Sequence, residues 1–432
     1  MATTYFRTWR RTARVLSSWI AAAAITGFVV ACSDLSNALD VTAPDKINAA
    51  SLRTPENAAL LVNSTQGDFE CGWGAFVTDG ALLSGELMDA SLTAARWSLP
   101  RRSVESGESF YSLRECDGLG VYTPISRARY TADTVLTLLK GWTDAQLPNR
   151  QLLLTRAAVY AGYDYIMLGE LFCSAAVDVG PALTSAQLFA LAEDRFTQAL
   201  AGAKTAGNDS LARVAYAGRA RARLDKGDLL GADADAKQIP AGSKFLAITT
   251  IENSIRLNRI YAQQNGSAIS VAPPFRSLTV PDASGNPVPD TRASVTNTGK
   301  TGGDRVTPLF TAAKYPSGST PLVVASYQEA QLVIAEVEGG QTAVGIINTL
   351  RTSAGLPGTF QSTDATTIKN QVIDERSHVL FLQGSRAYDV RRLNLTQVPA
   401  AGTAYPNGGV YGTQSCLPLP DVEALNNPNI SK

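Results

Sequence analysis

Between Asn149 and Phe172, the residues Leu154, Ala158, Ala161, Tyr165, Leu168 and Phe172 recur at intervals of 4, 3, 4, 3 and 4. That spacing draws one apolar stripe along a helix, and such a stripe has to be buried against a neighbour. A neighbour follows at once. Leu188, Ala192, Phe196 and Ala199 share one face of a second helix, which Thr184 or Ser185 can cap. The two should pack antiparallel. A further pair spans 209–239: Leu211 to Asp225 forms one helix, Gly227-Asp228 the turn and cap, and Leu229, Ala232 and Ala236 line the next, closed by Ile239-Pro240.

With Ala220 at a small-residue position, Gly227 falls at the turn and Ala232 and Ala236 at packing positions, which resembles the phase of a tetratricopeptide repeat. Gly162, Tyr165 and Gly169, followed by Ala192, Phe196 and Ala199, fit the same template with a longer connection. Other segments support a mainly helical chain. Thr54-Pro55-Glu56 starts a helix through about Asn63. Ala330, Val333, Ile334 and Val337 mark a helix over Ser326–Glu338; Gln341–Ala354 forms another, broken from it by Gly339-Gly340 and stopped by Gly355 and Pro357. Thr366–Gln383 is a third, ending at Gly384. Over 242–321 the helical period disappears, and clusters such as Asp282 to Pro287 and Gly299 to Asp304 predict loops with a few short strands. The last forty residues read as coil. The expected architecture is therefore mainly α: tetratricopeptide-like helical hairpins in a single domain over 54–432, with a loop-rich insertion at about 242–321.

The N-terminus carries Arg7, Arg10, Arg11 and Arg14 without an acidic residue, then an apolar run from Val15 to Ala31 that leads into Cys32. This is the layout of a bacterial export signal, and Val29-Val30-Ala31-Cys32 has the small and branched residues that a lipoprotein signal peptidase requires. The run falls short of the ~20 apolar residues that span a bilayer. The expectation is removal of 1–31, acylation of Cys32 with palmitate among its chains, and a lipidated tether over 32–53. Several acyl chains hold a protein on a membrane stably. Loss of the signal leaves 34 of 38 basic side chains against 38 acidic ones, a net charge of −4 that argues against nucleic acid as a partner. Four other cysteines remain, Cys71, Cys116, Cys173 and Cys416, an even number in a chain sent to an oxidising compartment. Of the three possible pairings, Cys71 with Cys116 joins two residues of one region, and Cys173 with Cys416 clips the C-terminal segment to a helix.

Three segments together resemble the SusD/RagB family of outer-membrane nutrient-binding lipoproteins. One runs from Tyr327-Gln328-Glu329 through Ala335-Glu336 to Ile347-Asn348, Leu350-Arg351 and Ala354-Gly355-Leu356. Another holds Glu375-Arg376, Leu380-Phe381, Gly384, Arg386, Tyr388-Asp389 and Arg392; the last holds Leu417-Pro418-Leu419-Pro420, Glu423 and Asn427-Pro428-Asn429. The chain departs from the family pattern at Ser326, Val379 and Gln383, each the loss of a charge, which predicts a thinner ionic network. The resemblance implies capture of an oligosaccharide, or sometimes a peptide, for delivery to a SusC-like TonB-dependent transporter in the outer membrane, with the lipoprotein exposed at the cell surface.

Catalysis finds no support in the residues. The single histidine, His378, cannot build a metal cluster, and Gly72, Gly74 and Gly80 lack the context of a phosphate-cradling loop. No cofactor is implied. Glu375 shares a stripe with Ile368, Val372, Val379 and Leu382, so it needs a partner, for which Arg386, Arg391 and Arg392 are candidates. Sugars are gripped by flat aromatic faces, with amides and arginines reading hydroxyls. Trp97, with Arg96, Arg101 and Arg102 nearby, is the first candidate, and Trp73, Tyr111 and Tyr122 are the others. A second reading, a lipid-anchored tetratricopeptide-like scaffold for envelope assembly, shares the helices and the anchor but does not require the C-terminal motifs.

Overall fold

A computed structural model describes residues 49–430 other than 114–115 and 117–119. Removal of the signal, acylation of Cys32 and most of the tether fall outside the described residues. By contacts the chain divides into Met1–Thr54, of which a helical turn at Ala49–Leu52 is described, and the compact unit Pro55–Lys432.

The centre of that unit is helix α1, Ala58–Ser84. It is far longer than the stretch to Asn63 expected from the sequence. Glycines normally weaken helices, but α1 is held by its packing, and a Cβ on Gly72 would already be in contact with the Met167 side chain at 3.4 Å. From Phe69 to Leu83 every residue of α1 is buried, as expected of a helix surrounded by others. Two of its neighbours are α2, Tyr122–Gly141, and α3, Arg150–Leu171. Helix α2 is not anticipated from the sequence, because Pro124 and the threonines obscure a stripe of Ile125, Ala128, Ala132, Val135 and Leu139 that the structure buries.

The hairpins form as their spacing predicts. Helix α4, Ser185–Thr205, begins with a capping box in which Thr184 and Gln187 satisfy each other's backbone amides. The packing is antiparallel: a Cβ on Gly162 would meet Phe196, and one further along α3, on Gly169, would meet the earlier Phe189. Helix α5, Asp209–Lys226, stops at Gly227, whose φ of 92° is left-handed. Asp228 then caps α6, Leu229–Ala236, by accepting from the Gly231 amide. Helix α7, Tyr327–Glu338, lays Ala330, Val333 and Ile334 against Ala220, Leu224 and Ala232 of that pair. Helix α8, Gly340–Ser353, and helix α9, Ala365–Val379, complete a second apolar cluster through Val344, Ile347, Ile368 and Val372.

Residues 242–321 form loops and short antiparallel ribbons, as expected, together with a short helix, Arg259–Asn265, that Asn258 caps and the sequence reading does not foresee. The hairpin Thr279–Pro281/Pro287–Pro289 has Asp282 at its tip, and a ribbon pairs Lys244–Ala247 with Leu322–Ser326. Helix α9 ends before Gln383, and the chain turns through Leu382 and Gly384 at φ of 54° and 91°. The final forty residues are mostly coil but include a helix at Asp421–Asn426. Both disulfides form in the expected pairing, with Cα separations of 5.7 Å for Cys71–Cys116 and 5.1 Å for Cys173–Cys416.

Glu375 is fully buried, but its partners are Arg351, at 2.9 Å, and Arg292. The expected arginines lie elsewhere. Arg391 donates to the carbonyls of Gly169 and Phe172, and Arg392 joins Asp389 and Glu336. The turn at Gly384 carries Arg386–Arg392 away from α9, which is why proximity in sequence misled. Arg376 binds Asp389 through two hydrogen bonds of 3.0 Å. The ionic network is thus dense in spite of Ser326, Val379 and Gln383.

Candidate ligand-binding site

A cavity of about 410 Å³ opens where the ribbon meets α7, α8 and the end of α9. Across the ribbon Lys244 stands opposite Ser326, whose side chain accepts from the Glu329 amide and starts α7. The wall therefore combines Lys244 and Ser326 with Tyr327, Gln328 and Gln331. Helix α8 adds Thr349 and Ser353, and Gln383 contributes an amide held by its bond to the Val379 carbonyl at 3.0 Å. Val323, Ile346 and Leu350 supply apolar surface. Hydroxyls, amides and a modest apolar wall suit a polyhydroxylated ligand.

Two further cations complete the lining. Lys314 donates to the Phe381 carbonyl at 2.8 Å. Burial pushes its ammonium down to about 7; the carboxylate of Glu86 works against that shift and Lys244 adds to it. Burial likewise lifts Glu86 to about 7, against the pull of the Leu382 amide, Arg386 and Lys314. Arg292 is fixed by Asp290, at 2.6 Å, and by Glu375. Burial acts to raise Asp290, yet hydrogen bonds from His378 and Arg292 hold it well below the usual carboxylate range. His378 is thus a core residue bound to Asp290 at 2.7 Å, away from the cavity. Among the described residues no cluster of potential metal ligands occurs.

The aromatic candidates lie apart from this cavity. Trp73 is fully buried, donates to the Val323 carbonyl at 3.2 Å and packs on Phe69, Phe76 and Tyr163. Tyr111 is buried with its hydroxyl on Pro418, and Tyr122 is buried with its hydroxyl on Glu423 at 2.9 Å. Trp73 and Tyr111 are enclosed by the core, so the expectation that they grip sugar is corrected. Tyr122 borders a separate cavity with Arg129, Tyr130 and Glu423, and all three tie the C-terminal half to the N-terminal part of the chain. Trp97 is half-buried, donates to the Ser91 carbonyl at 3.0 Å and packs against the Arg101 guanidinium, which also lies 4.9 Å from the Tyr405 ring. Arg96 is tied to buried Asp89 at 2.8 Å. The cavity residues escaped the sequence reading because they come from segments up to 140 residues apart; only the cap Ser326 and the polar face of α7 marked the place.

No family model and no curated protein matches the sequence. Solved structures do. A SusD superfamily protein from Bacteroides vulgatus is 14% identical, with 87% of this chain and 98% of that one covered at a TM-score of 0.64. A SusD-like protein from Bacteroides fragilis is 12% identical over 89% and 98%, with a TM-score of 0.66. The surface glycan-binding protein A of Bacteroides uniformis is 16% identical over 88% and 99%, with a TM-score of 0.61. The architecture is thus that of a mainly helical protein in which tetratricopeptide-like hairpins frame a loop-rich face. It is the SusD-like fold, as the resemblance of the C-terminal motifs implied.

Proposed function

We propose that this chain is a nutrient-binding lipoprotein of the bacterial outer membrane, anchored through Cys32, exposed at the cell surface, and acting with a SusC-like TonB-dependent transporter that receives its ligand. The observation that carries this reading is the likeness of fold over nearly the whole length of proteins that include a laminarin-binding SusD-like protein and a surface glycan-binding protein. A cavity of amides, hydroxyls and apolar wall agrees with an oligosaccharide as ligand. The protein binds and hands over; it is not an enzyme. No helix among the described residues is long and apolar enough to cross a membrane, so the reading assigns attachment to the lipid at Cys32.

The test is a pull-down of the tagged, lipidated protein from native membranes in mild detergent. Stoichiometric recovery of a large β-barrel with a plug domain, and loss of membrane attachment in Cys32→Ala, support the proposal. Recovery of periplasmic assembly factors without a barrel overturns it and favours the scaffold.

A further inference from the structure

Three cationic side chains line the cavity, Lys244, Arg292 and Lys314, and among the described residues no aspartate or glutamate lines it with them. Their partners differ. The charge of Arg292 is met by Asp290 and Glu375. Among the described residues Lys314 has no carboxylate within ion-pair distance, only the Phe381 carbonyl, and the exposed Lys244 makes no ion pair. The asymmetry is local, because the chain beyond its signal has a net charge of −4, so a polyanion would not be drawn to the surface at large. Helix ends do not explain it either. The N-terminal end of α7, at Ser326, Tyr327 and Gln328, and the C-terminal end of α8, at Ser353, both reach the wall, and their dipoles act in opposite senses.

We propose that this cavity binds an acidic sugar, a glycan residue whose carboxylate sits between Lys314 and Lys244 while its hydroxyls meet the amides and hydroxyls of Gln328, Gln331, Thr349 and Ser353. The inference rests on the glycan-capture reading and narrows it to a class of ligand. A carboxylate supplies the charge that the lysines lack. In exchange it gains charge-assisted hydrogen bonds, the one from buried Lys314 in a setting where water competes least. A neutral sugar would leave the buried Lys314 ammonium to the Phe381 carbonyl and the field of Glu86, with no carboxylate in ion-pair contact. The Arg292 pair with Glu375 and Asp290 stays closed and braces the wall.

The test is calorimetric titration of the purified full-length chain with tri-galacturonic acid and with its methyl ester, a neutral compound of nearly the same shape, at pH 6. The acid should bind about tenfold more tightly than the ester, the ratio that one charged hydrogen bond supplies. Lys314→Gln and Lys244→Gln should each bring that ratio towards one. Lys244 is exposed, so its variant tests the site without disturbing the core. Equal affinity for acid and ester, or a preference for acid that survives both substitutions, overturns the inference and leaves glycan capture standing. So does failure of both trisaccharides when neutral glycans on an array are bound and neither substitution weakens them. Binding of carboxylate-bearing peptides alone overturns the sugar class. If no glycan binds and no barrel co-purifies from membranes, the capture reading fails together with the inference.

Discussion

Replacing Gly218 by alanine should destabilise the protein, and removing the ring of Phe196 first should reverse the sign of that effect. Phe196 is fully buried, edge-on to Tyr163 with ring centroids 4.9 Å apart. Its ring lies in a slot between two helices: a Cβ on Gly162 of α3 would stand 2.7 Å from it, and a Cβ on Gly218 of α5 would fall inside its van der Waals surface. The ring cannot retreat from one side without striking the other. Overpacking of a rigid core costs about 1–3 kcal/mol. Alanine in place of glycine within a helix returns about 1 kcal/mol. With the ring trapped, the upper part of that range applies, and the net loss for Gly218→Ala should be roughly 1–2 kcal/mol. Phe196→Ala alone should cost about 3–5 kcal/mol. In that background the added methyl meets an emptied slot, so Gly218→Ala should stabilise by about 1 kcal/mol. The four proteins of this cycle would be compared by urea denaturation followed by circular dichroism and tryptophan fluorescence. An equal loss for Gly218→Ala in both backgrounds would refute the slot, since only the ring connects the two positions in this argument.

Other expectations follow from the ionic core and the cross-links. Glu375→Ala should cost about 3–5 kcal/mol by stranding the buried Arg351, and a loss below about 1 kcal/mol in thermal unfolding would show that the carboxylate is not what holds that arginine. The Cys173–Cys416 bridge joins residues 243 positions apart and Cys71–Cys116 residues 45 apart. The loop-closure argument therefore assigns about 5 kcal/mol to the first and about 4 kcal/mol to the second, and unchanged denaturation midpoints in the paired serine variants would contradict both. Burial acts to raise Asp389, but Arg376 and Arg392 hold it well below the usual range. Its stabilisation is therefore complete above the unfolded value near 4 and is lost as pH falls below it, so the acid limb of stability against pH should be shallower in Asp389→Asn. Lys314 is charged below about 7, with Glu86 and Lys244 acting on its charge and Arg292 in the same cavity lining. Affinity for tri-galacturonic acid should accordingly fall as pH rises through that value, and a fall of the same size in Lys314→Gln would trace it to another group.

The sequence by itself determined the elements whose cause is local. The stripe from Leu154 to Phe172, the Thr184 cap, and the Gly227-Asp228 turn each express a preference of a few neighbouring residues, and the structure realises them within a residue or two. The disulfide pairing expected from one pair within a region and one clip of the C-terminal segment to a helix is the one that forms. Where context outweighed local preference, the reading failed. Glycines that would weaken an isolated helix run through α1 because its burial among neighbouring helices outweighs their low propensity. Trp73, Tyr111 and Tyr122 looked like a ligand face in a region without evident period, yet they are buried by a C-terminal half that approaches only in three dimensions. The partners of Glu375 come from a loop and from α8, not from the arginines that follow it. Tertiary structure alone decided the cavity, because a cluster of cations without acids is a property of surfaces that meet. Lys244, Arg292, Lys314 and Gln383 share no period or motif, and it is the folding of the ribbon onto α7, α8 and α9 that sets their charges and amides around one space.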